Sequence, residues 1–192
     1  MTSPGSSTTT TTPFFTPRRV ARMAILVALS AVGAFIKIPS PTGTIALDSA
    51  PGFLAAAAFS PGEGAIVGAL GHLISAVTTG FPLGLPIHLL VAAEMAVFVW
   101  VFGVVARKVN IWVAIAVGIF LNGVVGAAIM ILFGGLGMFW ALLLPLTVGS
   151  AINIIIAVLA TQALIAAGLA PPSQAVGLAL TSPGRNPPAV DG

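Results

Sequence analysis

A few side chains able to do chemistry stand within or beside long apolar runs of this chain: Asp48, Glu94, His72, His88, Asn122 and Asn153. Acids, imidazoles and amides are costly in an apolar medium, so each is retained for a partner, whether another helix or a solute. Glu94 lies in the middle of such a run and is the costliest of them. His88 precedes it by six residues, roughly 9 Å along a helix axis and about 120 degrees around it, so the two are not an i,i+4 pair. In the segment KIPSPTGTIALDSAP, residues 37–51, Lys37, Thr42, Thr44 and Asp48 put charges and hydroxyls into a loop between apolar runs, the pattern expected of solute recognition. Asp48 also suits the start of the following helix, as a cap or as a charge at the positive end of the dipole. Lys37 suits an interfacial position, with its stem in the apolar layer and its ammonium group in water.

Gly64, Gly68, His72, Ser75 and Thr79 recur at spacings of three or four, so small and polar groups share one helix face that points away from lipid. Such a face also serves close helix packing, with His72 hydrogen-bonded to a neighbour. Gly118, Asn122, Gly126 and Gly149, Asn153, Ala157 repeat one pattern, an asparagine between small residues four apart, which turns both amides inward. Either amide can bind a ligand or bridge two helices. Trp140 reads as an interfacial anchor or a stacking wall, and Glu63, in a Ser-Pro-Gly turn, as a solvated charge.

The elements that hold these residues follow from composition. Of 192 residues, 58% are hydrophobic and 6% charged, which places the chain among integral membrane proteins. Apolar runs cover residues 20–36, 51–59, 64–78, 86–106, 111–133 and 141–169, separated by Pro and Gly punctuation that includes Gly134 to Gly137. The expected fold is therefore an all-α, six-transmembrane-helix bundle over residues 18–170. Its second and third helices are short, and a loop between helices 1 and 2 covers an outward-facing pocket. Residues 1–17, rich in Ser, Thr and Pro, and residues 171–192 are expected to be disordered tails.

Arg18, Arg19 and Arg22 before the first helix, with Arg107 and Lys108 after the fourth, set both tails in the cytoplasm of a multi-pass plasma-membrane protein. The same arginines before a short apolar run could belong to a cleaved signal or a twin-arginine leader, but no soluble domain follows that would need export. Seven basic against four acidic residues fit this orientation, and no basic stripe points to nucleic acid. With no cysteine, thiolate metal sites, disulfides and thiol nucleophiles are excluded. There is no HExxH, GxSxG or phosphate-binding glycine loop, and the histidines and acids lack ligand spacing, so neither a catalytic set nor a metal nor a cofactor is expected.

The strings ARMAILVALSAVGAF, IKIPSPTGTIALDSAPGF, GHLISAVTTGFPLGLPIHLL and FLNGVV resemble the substrate-binding S components of energy-coupling factor (ECF) vitamin transporters, and most of all their α-ribazole branch, which salvages a cobalamin precursor. The resemblance spans about residues 18–169. It implies a non-enzymatic subunit that captures a vitamin-related solute from outside and works with a transmembrane coupling subunit and two cytoplasmic ATPases. Ala24 and Ala28 look like the AxxxA motif by which such proteins dock on the coupling subunit. Three alternatives stay open: an S component for another vitamin or nucleobase, an intramembrane enzyme using His72 or His88 with Glu94, and a scaffold whose polar groups only join helices.

Overall fold

The computed structural model describes residues 14–37 and 46–170. Thr42, Thr44 and most of the two expected tails lie outside the described residues. Apart from one isolated bridge between Lys37 and Ala46, the ordered elements among the described residues are helices. Helix α1, Pro17–Gly33, opens on Thr16, whose hydroxyl accepts from the Arg19 amide at 3.4 Å, with Pro17 in the first turn, where its missing N–H costs nothing. Met23, Leu26, Ser30 and Gly33 face the bundle, while Ile25, Leu29 and Val32 on the other side are exposed.

The short α2, Ala50–Ala58, is almost wholly buried. Nine residues rise only about 14 Å, too little to cross a bilayer. Its sequence APGFLAAAA is instead suited to being surrounded, because small side chains allow neighbouring backbones to come close. A Cβ placed on Gly52 would sit 2.9 Å from the Gly68 Cα, and one on Gly64 would overlap Ala56. Glycine at these two positions is thus what lets α2 lie against α3, Pro61–Thr78. The start of α3 is capped by Ser60. Ser60 Oγ accepts from the Glu63 amide at 3.2 Å and lies 3.3 Å from the Glu63 carboxylate.

Helix α4, Leu85–Lys108, follows a turn with Gly80 and Gly84 at positive φ. Helix α5, Ile111–Ile129, is capped by Asn110, which accepts from the Val113 amide at 2.8 Å, and contains a π turn over Phe120–Val125. Helix α6, Ile131–Ala166, carries Pro145 and one non-helical residue, Gly135, at φ 64° and ψ −167°. The four-residue glycine break expected at 134–137 is thus a break at Gly135 alone, because only there does the backbone enter a region that favours glycine. The helix resumes well before residue 141. Likewise α1 ends at Gly33 rather than 36, and α5 at Ile129 rather than 133. Among the described residues, three helices, α4, α5 and α6, are long and apolar enough to cross a membrane.

The core lies where α2 meets α4, α5 and α6. Phe53 and Phe102 pack edge to face with ring centroids 5.1 Å apart, and Val99, Ile111 and Ile154 close around them. One end of the bundle gathers the basic residues. Arg22 Nη2 lies 2.6 Å from each Glu63 carboxylate oxygen and Arg22 Nε 2.9 Å from Oε2, with Arg19 at 3.6 Å. The Arg22 guanidinium also lies over the Phe59 ring at 3.8 Å. Glu63 is 1% exposed, so the expectation of a solvated charge is wrong. The helix cap draws the carboxylate inward, and the arginines of α1 satisfy it there. Arg107 donates to the carbonyls of Ala56 and Ala57 at 2.8 and 3.3 Å, satisfying the end of α2.

Candidate functional site

Away from the basic end, a cavity of about 110 Å3 opens between the α1–α2 loop, α3, α4, α5 and α6. By the same measure a single water needs about 10–15 Å3, so the space suits an organic solute rather than one trapped water. Asp48, His72, His88, Glu94, Asn122 and Asn153 all line it. Its apolar wall comes from Val91, Met95, Met130, Leu142 and Leu146. A few convergent polar groups on an apolar wall are what small-molecule sites have in common.

Each polar residue arrives by a different local device. Asn153 sits on α6 with small neighbours at Gly149 and Ala157, and its amide is fully used. Its Oδ1 accepts from the Ala50 amide at 2.8 Å, and its Nδ2 donates to the carbonyls of Ala46 and Gly149 at 3.2 and 2.9 Å. In this way α6 holds both the first turn of α2 and the described end of the α1–α2 loop, and hence Asp48, two residues beyond Ala46. Asn122 lies in the π turn of α5, whose extra residue per turn shifts side chains around the helix. Gly123 allows that turn to press against α6, since a Cβ there would meet the Thr147 backbone at 2.8 Å.

Asp48 is half-buried in the loop before α2. Burial pushes its carboxyl up to about 6 from an ordinary 3.8, against the opposing pull of a Ser75 hydrogen bond and the Lys37 charge. His72 on α3 and His88 on α4 meet ring to ring, with His72 Nε2 3.2 Å from His88 Nδ1, and Phe81 packs at an angle on His88. The Nε2 of His88 and the Oε1 of Glu94 are buried and have no hydrogen-bond partner among the described residues. A buried polar atom without a partner is expensive, so its presence at a cavity wall marks where a ligand atom or water belongs.

The remaining expected site residues lie elsewhere. Lys37 is exposed and pairs through its backbone with Ala46 rather than lining the cavity. Trp140 is 66% exposed and packs on Phe139 outside the cavity. Ala24 and Ala28 are exposed on the face of α1 opposite Met23 and Leu26. Sequence reasoning missed Ser49, Ser150 and the methionines Met95 and Met130 of the lining. Only Ser150 had a usable signal, its place one residue after Gly149 on the inward face of α6.

Among the described residues, no group of three or more histidines and acids is arranged to hold a metal ion. Residues 18–165 match the family described as ECF transporter, substrate-specific component. The chain belongs to that family. It is accordingly a membrane protein and the substrate-binding subunit of an ECF transporter, a role that is not enzymatic. Membership also implies a small-molecule substrate and the ECF module as partner. No curated protein and no solved structure matches the chain.

Proposed function

We propose that this S component captures α-ribazole from outside the cell and delivers it, through a transmembrane coupling subunit and two cytoplasmic ATPases, for cobalamin salvage. The observation that carries the reading is the cavity itself, where His88 Nε2 and Glu94 Oε1 are buried without partners among the described residues beside an apolar wall. An aromatic base joined to a ribose needs such a wall together with donors and acceptors for hydroxyls. The choice of α-ribazole among vitamins rests on the strings IKIPSPTGTIALDSAPGF, GHLISAVTTGFPLGLPIHLL and FLNGVV, which resemble that branch.

Orientation follows from charge. Arg18, Arg19 and Arg22 at the start of α1 and Arg107 and Lys108 at the end of α4 mark one end of the bundle, which the positive-inside rule places in the cytoplasm. The cavity then faces outward in the plasma membrane, and both termini lie inside. Ala24 and Ala28 form the docking stripe for the coupling subunit, because exposed small residues four apart let a second helix approach closely.

Native mass spectrometry of the purified chain against α-ribazole, dimethylbenzimidazole, cobalamin, biotin, thiamin, riboflavin, folate and pantothenate tests the substrate. Retention of α-ribazole alone, or of α-ribazole most tightly, is expected. Selective retention of another compound overturns the substrate and keeps the class.

A further inference from the structure

We propose that His88 is a ligand-anchoring donor and that His72 is the positioning residue that makes it one, through a two-histidine relay running from α3 to the cavity. The inference rests on the reading of the cavity as the solute site.

A neutral imidazole has one N–H and one lone pair, so at 3.2 Å one of the facing nitrogens, His72 Nε2 or His88 Nδ1, must donate and the other accept. If both rings carried protons on the facing nitrogens, two donors would oppose each other and the contact would open. The direction of the bond decides what His88 offers to the cavity. If His72 donates, the His88 proton sits on Nε2 and points inward as a donor. If His88 donates, a lone pair points inward instead.

The surroundings select the first arrangement. Asp48 and Glu94 bring carboxyl groups to the cavity lining, and both amide hydrogens of Asn153 are already given to the carbonyls of Ala46 and Gly149. In a lining short of free donors, an inward N–H on His88 complements the carboxyl groups better than an inward lone pair does. His72 is half-buried and itself lines the cavity, and with its proton on Nε2 its Nδ1 is left as an acceptor. Hydrogen bonds in series polarise one another, so a fixed donor at His72 strengthens the donor at His88.

His88 is 3% exposed and its Nε2 has no hydrogen-bond partner among the described residues, so it meets whatever occupies the cavity, solute or water. The complementary ligand places an acceptor, such as a hydroxyl or ether oxygen or an unsubstituted ring nitrogen, against His88. It places a donor against Glu94, roughly 9 Å farther along α4. Between the two polar points its body lies on Val91, Met95 and Met130.

The chain has two histidines, which makes the test direct. Long-range 1H–15N spectra of protein labelled at histidine nitrogen, in nanodiscs without ligand, report which nitrogen of each ring carries the proton. Both rings are expected to be protonated at Nε2. In His72→Phe the His88 signal should become a mixture of tautomers, and affinity for α-ribazole should fall about tenfold. In His72→Gln the amide nitrogen can take over the donor position, so the His88 tautomer and most of the affinity should return.

A His88 protonated at Nδ1 in the unaltered chain, or a His88 tautomer indifferent to His72→Phe, overturns the relay. Because the spectra need no ligand, expected tautomers in a chain that retains no α-ribazole would uphold the relay and refute the substrate assignment.

Discussion

Replacing Asn153 with alanine separates a clamp from a ligand contact. Three hydrogen bonds end on this amide, and the residue is 2% exposed. The bond to the Gly149 carbonyl is the least costly to lose, because that carbonyl lies within α6 and has a helix partner. The other two leave the Ala50 amide and the Ala46 carbonyl without partners, on residues that are 7% and 5% exposed. Each buried orphan costs about 1–3 kcal/mol. Water entering from the adjoining cavity recovers part of this, so the expected net loss is about 2–3 kcal/mol. For a chain of this size that corresponds to a Tm lowered by roughly 5–10 °C. The assay is thermal unfolding of the detergent-solubilised protein, followed by tryptophan fluorescence in the absence of ligand. Asn153→Asp should lie well below the native protein as well, since a carboxylate can accept from Ala50 but has nothing to give Ala46. A ligand-free Tm within a degree of the native value, combined with lost solute binding, would refute the reasoning and make Asn153 a direct contact.

At the basic end, Arg22→Ala leaves a 1% exposed carboxylate with only the longer Arg19 pair and the Ser60 hydroxyl and removes the contact with Phe59, so stability should fall by about 2–4 kcal/mol in thermal unfolding. Glu63→Gln should cost less, because the amide can stay hydrogen-bonded and no lone charge is left behind. Asp48 is held above its ordinary value, so the folded state binds its proton more tightly than the unfolded chain does. Its contribution to stability is therefore present below about pH 4 and is lost as pH rises to about 6. The difference in Tm between the native protein and Asp48→Asn, which lacks this titration, should trace that loss across pH 4 to 7. Ala24→Leu and Ala28→Leu should leave solute binding unchanged and reduce uptake by cells that also express the coupling module by tenfold or more, because a larger side chain blocks close helix approach. Equal loss of binding and uptake would move the docking face elsewhere.

How much of this was readable beforehand depended on the range of the interaction. The costly residues announced themselves, since an acid or imidazole in an apolar run has few ways to persist, and Asp48, His72, His88, Glu94 and Asn122 do share a cavity with Asn153. The helix start at Ile111 after Asn110, set by local chemistry, was within reach of pattern reasoning, whereas the start at Thr16 and Pro17 falls inside the stretch expected to be a tail. What escaped depends on partners distant in sequence. Glu63 looked solvated because its turn is polar, but Arg22, 41 residues away, makes a buried place for it. Asn153 read as either a ligand group or a bridge between helices, but the backbone it holds belongs to Ala46 and Ala50, more than a hundred residues earlier. Trp140 was placed by its type, which cannot tell a residue facing lipid from one facing a cavity.

The most direct measurement is the ligand-dependent Tm of Glu94→Leu, which removes the carboxyl whose Oε1 has no partner among the described residues and puts an apolar side chain in the cavity wall. The ligand-free variant should melt at or above the native temperature, because a buried orphan is gone. In the native protein, α-ribazole at a hundred times its Kd should add about 2.7 kcal/mol of stability, and in the variant that gain should vanish. A full α-ribazole-dependent rise in Glu94→Leu would place the solute site outside this cavity and contradict the account.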